Sequence, residues 1–520
     1  MRSTFHGLET AKRSLFTQQA ALSTTGHNIA NANTKGYSRQ VVNMVAARPI
    51  EAVGMMRSTA KGQLGTGVEF NSITRIREAF LDDQFRNENK SLGNWSIQAD
   101  TLEKLEAILN EPSDTGLRTV MDNFFNAWAE LVKDPQSITG RKIVREAAIA
   151  LTDAFNHMSR QLDELSADLT ENIQIKIDDI NSKLSIIADL NREIRRIEGM
   201  GDNANDLRDQ RDLLVDEISK VINITVTETE QGYTLQMGGV VLVDGDAVTP
   251  LDAGLVDGYF NSGDLNSGEI YGLIVSRDRH VADYRNQLNT LANAIANGEI
   301  TVTIPAGTVL PEGTVLNGIT YTGPSRTLTS PLTVTVNGLN GLHKLGYAFN
   351  DSGFSPGGDL FVAGDGSTTI TAGNIRLHPD IVADPTKIAT SMRTTGNPEQ
   401  VVKGNNDLAL LISQMKDAKF AFSSLDPNSP VQSGTLNDYF RSVVGQLGVQ
   451  TSEAKRQTAN LQLIVDQVDG RRQAVSGVSL DEEMANMIRF QHAYNAAARI
   501  MTTMDEVLER IINGMGIVGR

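Results

Sequence analysis

The sequence predicts an α+β multidomain protein in which both chain ends form coiled-coil helices and a long helical bundle, with β-rich outer modules inserted in the middle. Three observations predict this class. Apolar residues recur every seven positions at both ends, a long central segment lacks Gly and Pro, and two middle segments are rich in Thr, Val and Gly. The length of 520 residues allows about three to four domains.

The heptad rows at the chain ends predict helices that bury an apolar stripe against a helical partner. The N-terminal row is Leu8, Leu15, Leu22 and Ile29. The C-terminal rows are Leu480, Met487, Tyr494, Met501, Leu508 and Met515, and, three places later, Phe490, Ala497, Met504, Ile511 and Val518. Each row also fits an ordinary amphipathic helix packed on its own domain. Termini are usually the least ordered parts of a chain, yet these two carry its most regular apolar patterns. We therefore favour contacts with the other end, a neighbouring subunit or a chaperone.

The central segment predicts a rod-like helix. Between Gly140 and Gly199, 58 residues contain neither Gly nor Pro, and their apolar positions follow spacings of three and four. A continuous helix of this length would extend roughly 87 Å at about 1.5 Å per residue. Shorter amphipathic helices are predicted over residues 75–110, 115–133, 203–220, 269–297 and 440–475. Such helices suit antiparallel packing in a bundle.

Two middle segments predict antiparallel strands. Ile222, Ile224 and Val226 alternate with polar residues, and Gly-rich turns follow. The stretch 300–400 is rich in Thr, Val, Gly and Asn, and we interpret Asn337-Gly338 and Asn340-Gly341 in it as turns.

These patterns divide the chain into three predicted domains. The terminal coiled-coil domain comprises 1–50 and 478–520, the helical bundle domain comprises 51–220, 264–299 and 401–477, and the β-rich outer domain or domains comprise 221–263 and 300–400.

Composition and charge narrow the function classes. The chain has no Cys, which excludes disulfides, thiolate metal sites and Cys nucleophiles. A net charge of −16 disfavours nucleic acid as a partner, and no apolar run approaches the roughly 20 residues that cross a membrane. Residues 1–50 are an exception with six basic residues and one acid. The start of the chain lacks the apolar core of a cleavable signal peptide, so we expect any secretion to use another route.

Enzyme signatures are weak, and we predict no catalytic, cofactor-binding or metal-binding residues and no cofactor. Gly353–Gly357 matches the Gly-x-Ser-x-Gly pattern of hydrolases, but the residues after Ser355 predict no helix, so we interpret the segment as a turn. The seven His residues lack zinc-site spacing. Acidic loops such as Asp244-Gly245-Asp246 lack the calcium-loop pattern and are interpreted as hairpin turns.

Both ends resemble the signatures of bacterial flagellar axial proteins, the superfamily of rod and hook subunits. The resemblance rests on Ser3–Ala11, on Ala20–Gln40, which contains His-Asn-Ile-Ala-Asn-Ala-Asn-Thr-Lys-Gly-Tyr-Ser-Arg-Gln, and on Val478–Arg499. Within this superfamily the ending Gly36–Gln40, the helix Asn205–Ile218 after a very long helix, and the chain length resemble the hook-associated protein 1 family. Gly341–Tyr347 is similar to a short segment of that family, although about 40 strand-like residues precede it here.

The resemblance implies a structural protein that assembles at the distal end of the hook and connects hook to filament. It implies an extracellular location reached without a cleavable signal peptide. The implied partners are further copies of the chain in a ring, the flagellar hook protein, hook-associated protein 3 and a flagellar export chaperone, with no nucleic acid and no membrane. We predict an assembly interface formed by Leu8, Leu15, Leu22, Ile29, Met487, Tyr494, Met501 and Leu508, and a chaperone-binding set of Met504, Leu508 and Ile511. The alternatives are a hook or distal rod subunit and, from another class, a surface adhesin or enzyme carried by residues 300–400.

Overall fold

The computed structural model describes residues 5–49, 65–109, 116–350, 353–427 and 429–514. The described helices are α1 His6–Ala30, α2 Ala79–Leu109, α3 Leu117–Lys133, α4 Ile138–Glu198, α5 Asn205–Val221, α6 Ala253–Ser262, α7 Glu269–Val275, α8 Ala282–Asn297, α9 Gly338–Lys344, α10 Pro379–Ala383, α11 Asp407–Gln414, α12 Leu436–Ser476 and α13 Leu480–Gly514. A π-helical segment, Ser276–Val281, joins α7 to α8. The expected α+β class is confirmed.

The described strands are short and antiparallel. They are β1 Gln40–Ala46, β2 Val68–Arg75, β3 Thr225–Thr229, β4 Gly232–Met237, β5 Val240–Asp244, β6 Ala247–Val248, β7 Glu299–Ile304, β8 Thr314–Leu316, β9 Ile319–Tyr321, β10 Leu332–Asn337, β11 Tyr347–Asn350, β12 Gly353–Pro356, β13 Phe361–Ala363, β14 Ile375–Leu377, β15 Thr394–Thr395, β16 Gln400–Val401, β17 Phe420–Ala421 and β18 Ser433–Gly434. Strands β3 to β6 form a four-stranded meander, and the remaining sheets have two strands each.

The long helix α4 confirms the prediction from periodicity. Apolar positions spaced by three and four residues from Val144 to Ile194 are buried, and Leu151, Phe155 and Leu184 have no exposed surface. An apolar stripe of this kind holds a helix in place because its burial contributes roughly 1.5 to 3 kcal/mol per large side chain. The helix ends at Glu198, just before Gly199 and Gly201.

The described residues form two compact units. The first comprises residues up to 94, 174–271 and residues from 458 onward, and the second comprises 95–173 and 272–457. The first unit contains α1, α5, α13, the β1–β2 hairpin and the β3–β6 meander. The second contains α3, α8 and the strands from β7 to β18. The three domains predicted from the sequence (coiled-coil, bundle and outer) assign roles to parts of the chain, and this assignment stays a prediction.

Two local interpretations were wrong. Gly353–Pro356 is strand β12, paired with β11, and not a turn. Strand β13 is the next element after it, so the helix that a hydrolase serine requires does not follow Ser355. Asn340-Gly341 lies inside α9 and is not a turn. The buried Asn340 side chain accepts the backbone N–H groups of Leu360 and Phe361 at 2.9 and 2.8 Å.

Other turn predictions were right. Asp244-Gly245-Asp246 connects β5 to β6, with Gly245 at a φ of +60°. That left-handed conformation favours glycine.

Candidate functional site

Helices α1 and α13 form an antiparallel pair in the first unit. At one end of the pair, a methyl group on Gly7 would lie 2.7 Å from Met504 Cε. At the other end, Asn28 Nδ2 donates to Glu483 Oε2 at 3.0 Å. These two contacts are three heptads apart on both helices. The residues of α1 and α13 that face each other therefore recur every seven positions along the seam.

The seam between these helices is lined mainly by small residues. A groove of about 730 Å³ lies along the seam near Gly7 and Met504. Its lining includes Ala11, Ser14, Ala493 and Ala497. Ala21 and Phe490 line a further cleft toward the Glu483 end. The large apolar side chains that also line these clefts are Phe490, Ile500 and Met504 of α13.

The predicted interface residues lie beside this seam. Leu8, Leu15, Leu22 and Ile29 on α1, and Met487, Tyr494, Met501 and Leu508 on α13, are all half-buried. Of the predicted chaperone-binding residues, Met504 lines the groove, Leu508 is half-buried and Ile511 is 38% exposed. Met515 and Val518 lie outside the described residues. The roles of all these residues in assembly and chaperone binding stay predictions.

Helix α13 also carries exposed apolar residues. Met484, Ile488, Ile500, Val507 and Ile512 are between 47% and 71% exposed. These side chains leave apolar surface of α13 uncovered within the chain.

A polar cluster closes the seam at its Glu483 end. We call Asn28, Tyr37, Arg39, Gln40 and Glu483 the terminal polar cluster. The Asn28 amide donates to Gln40 O at 2.9 Å and accepts from Gln40 N–H at 3.0 Å and from the Tyr37 hydroxyl at 2.7 Å. Arg39 Nε donates to Glu483 Oε1 at 2.8 Å. The cluster therefore ties the loop after α1 to both terminal helices.

Burial makes this cluster energetically important. Asn28 is 1% exposed and Glu483 is 2% exposed. Burial first, and then the nearby Asp206, Asp209 and Glu483, raise the pKa of Tyr37, which therefore stays a hydroxyl donor. A buried carboxylate is costly unless it is paired and hydrogen-bonded. Glu483 also lies in the first turn of α13, where the helix dipole favours negative charge.

Helix α5 carries a second polar network in the first unit. We call Arg75, Arg77, Arg86, Arg472, Asp82, Asp209, Asp212 and Asp216 the arginine–aspartate cluster. Arg75 Nη1 lies 2.7 Å from Asp209 Oδ1 and 2.6 Å from Asp212 Oδ2. Arg86 Nε and Arg472 Nη2 bind Asp216 at 2.7 and 2.6 Å. The Ser38 N–H donates to Asp209 Oδ2 at 2.7 Å, so the same helix holds the loop after α1.

The charges of this cluster compensate one another. Burial raises the pKa of Asp212, but Arg77, Arg75 and Arg86 outweigh burial and hold that pKa well below its ordinary value. The Tyr233 hydroxyl also donates to Asp212 Oδ1 at 2.7 Å. Burial raises the pKa of Asp209 despite its bond to Arg75. The cluster is therefore a compensated ionic core that fixes α5 against α2, β2 and α12.

The sequence contains a pattern that indicates the acidic half of this cluster. Asp206, Asp209, Asp212 and Asp216 recur every three or four residues, which places them on one face of a helix. Their arginine partners are far away in the chain and had no comparable signal. The terminal polar cluster had none either, because Asn28 and Glu483 each lie among ordinary polar residues of a helix.

Among the described residues, no three His, Asp or Glu side chains are grouped to hold a metal. No helix in the described part of the chain has the length and hydropathy that a membrane crossing requires.

Both chain ends match families of axial structural proteins of the bacterial flagellum. Residues 8–37 match the profile of the flagella basal body rod protein, and residues 472–514 match that of the flagellar basal body rod FlgEFG protein C-terminal region. Residues 102–299 match the flagellar hook-associated protein FlgK helical domain.

Full-length relatives identify the family. Flagellar hook-associated protein 1 of Bacillus subtilis is 34% identical over 539 residues, which covers 100% of both chains. The protein of the same name from Escherichia coli is 26% identical, covering 97% of this chain and 99% of its own. The flagellar hook junction protein FlgK of Burkholderia pseudomallei has a solved structure with a TM-score of 0.49 at 16% identity, covering 76% of this chain and 100% of that chain. The chain belongs to the flagellar hook-associated protein 1 family, a structural component of the flagellum, and the family expected from the terminal motifs is confirmed.

Proposed function

We propose that this chain is the structural subunit that assembles at the distal end of the flagellar hook and connects the hook to the filament. The observation that carries the proposal is the relationship along the whole chain to a hook-associated protein. The paired terminal helices support it, because they present half-buried and exposed apolar residues that a single chain leaves partly uncovered.

The proposed assembly contacts use the rows beside the seam. Leu8, Leu15, Leu22 and Ile29 flank it on α1, and Met487, Tyr494, Met501 and Leu508 flank it on α13. Burying these side chains against neighbouring subunits would supply roughly 25 cal/mol per Å² of apolar surface removed from water. The proposed neighbours are further copies of the chain in a ring, the hook protein and hook-associated protein 3.

The proposed route to this position is flagellar export. The chain would be escorted by an export chaperone bound at Met504, Leu508 and Ile511, and would leave the cell without a cleavable signal peptide. Its place is then extracellular, in the flagellum, and its role is structural and not enzymatic. The proposed domain roles are a terminal core, a helical bundle and β-rich outer modules, with the boundaries given by the sequence.

Addition of the purified chain to isolated hooks tests this function. We expect each hook to receive one short cap of constant height, visible by electron microscopy, because a junction subunit stops after one ring. Hook protein added in parallel serves as the control that elongates. If the chain extends hooks continuously, it is a hook or rod subunit and the proposal fails.

A further inference from the structure

Small residues line part of the seam between α1 and α13. Gly7, Ala11, Ser14 and Ala21 face the seam on α1, and Ala493 and Ala497 face it on α13. A shift of one heptad in one direction would place the small residues Ala21 and Ala497 opposite each other and would move Met504 from Gly7 to Ser14. Small apolar residues carry little register information, whereas a single polar residue at an apolar seam position can specify register. Some other feature must therefore select the observed pairing.

We propose that Asn28 and Glu483 fix the register in which the two terminal helices pair. In the observed register Glu483 accepts from Asn28 Nδ2 at 3.0 Å and from Arg39 Nε at 2.8 Å. Asn28 uses its remaining capacity on Tyr37 and on the backbone of Gln40. Both side chains are almost fully buried, so every bond is made away from water.

A shifted register removes the two bonds that cross the seam, from Asn28 and from Arg39 to Glu483, without replacing them. A shift of one heptad in one direction places Asn28 opposite Phe490 and moves Glu483 past the end of α1. A shift in the other direction places the Glu483 carboxylate opposite Ala21. In both cases buried polar groups lose their partners, and an unsatisfied buried group costs more than the net value of a satisfied bond. A single buried polar pair can select a register in this way at some cost in stability.

The absence of cysteine in the chain makes the register directly measurable. One reporter carries Ser14→Cys and Ala497→Cys, which lie opposite each other in the observed register. The second carries Ala21→Cys and Ala497→Cys, which lie opposite each other only after a shift of one heptad. Such a shift moves a helix by about 10 Å, whereas a disulfide requires Cα atoms within about 7 Å. Mild oxidation of the dilute full-length chain, followed by mass spectrometry, gives the ratio of the two registers.

With Asn28 and Glu483 intact, we expect the first reporter to form its disulfide and the second to remain largely reduced. Asn28→Ala and Glu483→Ala should each raise the shifted-to-observed ratio about tenfold, which is the scale of a lost hydrogen bond to a charged group. Glu482→Ala is the matched control. Glu482 bonds the same arginine at 2.9 Å, but its side chain is 63% exposed, so the ratio should not change.

Three results would overturn the proposal. One is a second reporter that oxidises as readily as the first in the otherwise unchanged chain, and another is the absence of a disulfide in both. The third is a loss of the first disulfide in the Asn28 and Glu483 variants without a gain in the second, since that would indicate a contribution to stability alone. The experiment uses the unassembled chain, so its outcome is independent of the function proposed at the hook.

Discussion

His343 shows how a single residue acquires a property that its sequence position does not reveal. It was one of seven scattered histidines, and the structure buries it completely in the second unit. Its Nδ1–H donates to Gly358 O at 2.7 Å, and its Nε2 accepts the Ala389 N–H at 2.9 Å. This arrangement requires a neutral ring with the proton on Nδ1. Burial first, and then Arg141, lower the pKa of His343 to about 4 against the opposing effect of its hydrogen bond to Gly358.

This burial predicts a pH-dependent loss of stability. The unfolded chain takes up a proton on this residue near pH 6.5, whereas the folded chain does so only near pH 4. Stability should therefore fall as the pH falls from about 6.5 to about 4, by at most about 3 kcal/mol. Urea unfolding of the second unit between pH 7.5 and 4.5 measures the slope. His343→Gln should flatten it, whereas His157→Gln, at an exposed position, should not. An unchanged slope in His343→Gln would contradict the assignment.

At the scale of elements, periodicity predicted the long helices but not α6, α9 and α10, which lie in segments that the sequence predicted to be β-rich. The predicted ends of α4 and α12 agree with the structure within a few residues. Helix α4 buries a continuous apolar stripe, whereas α12 also exposes Val449 and Leu463. The face of α1 that meets α13 was not predictable in the same way. Large apolar residues dominate the heptad pattern, yet the seam is lined by Gly7, Ala11 and Ala21, which carry little hydrophobic signal.

The end of α13 carries the chaperone prediction. Leu508→Asp combined with Ile511→Asp should abolish binding of the export chaperone, because two charges would enter an apolar contact without partners. Titration calorimetry with the purified chaperone measures affinity, and circular dichroism checks that the long helices remain. Met484→Asp with Ile488→Asp is the matched control, since both residues are exposed on the same helix near its other end. Undiminished binding by the first double variant would place the chaperone site elsewhere.

At the scale of the whole molecule, the family and the α+β class were predictable because the terminal motifs are specific and the composition changes along the chain. The pairing of arginines with aspartates in the arginine–aspartate cluster was not predictable. It joins Arg75 and Arg86 to α5 and to Arg472, residues separated by more than a hundred positions, and no local pattern pairs them. Tertiary packing decides which charges become buried partners.

The central claim is that the paired chain ends build the junction that carries the filament. The most direct measurement is electron microscopy of flagella in a strain that lacks this chain and is complemented with Leu22→Asp or Met501→Asp. Both residues are half-buried beside the seam, so a charge there would disfavour the proposed subunit contacts. Ser23→Asp is the control, because it adds the same charge to α1 at an exposed position. We predict hooks without filaments and flagellin in the medium for Leu22→Asp and Met501→Asp, with normal export of the variant chains and normal filaments for Ser23→Asp. Leu22→Asp subunits that still form a filament-bearing junction would contradict the claim.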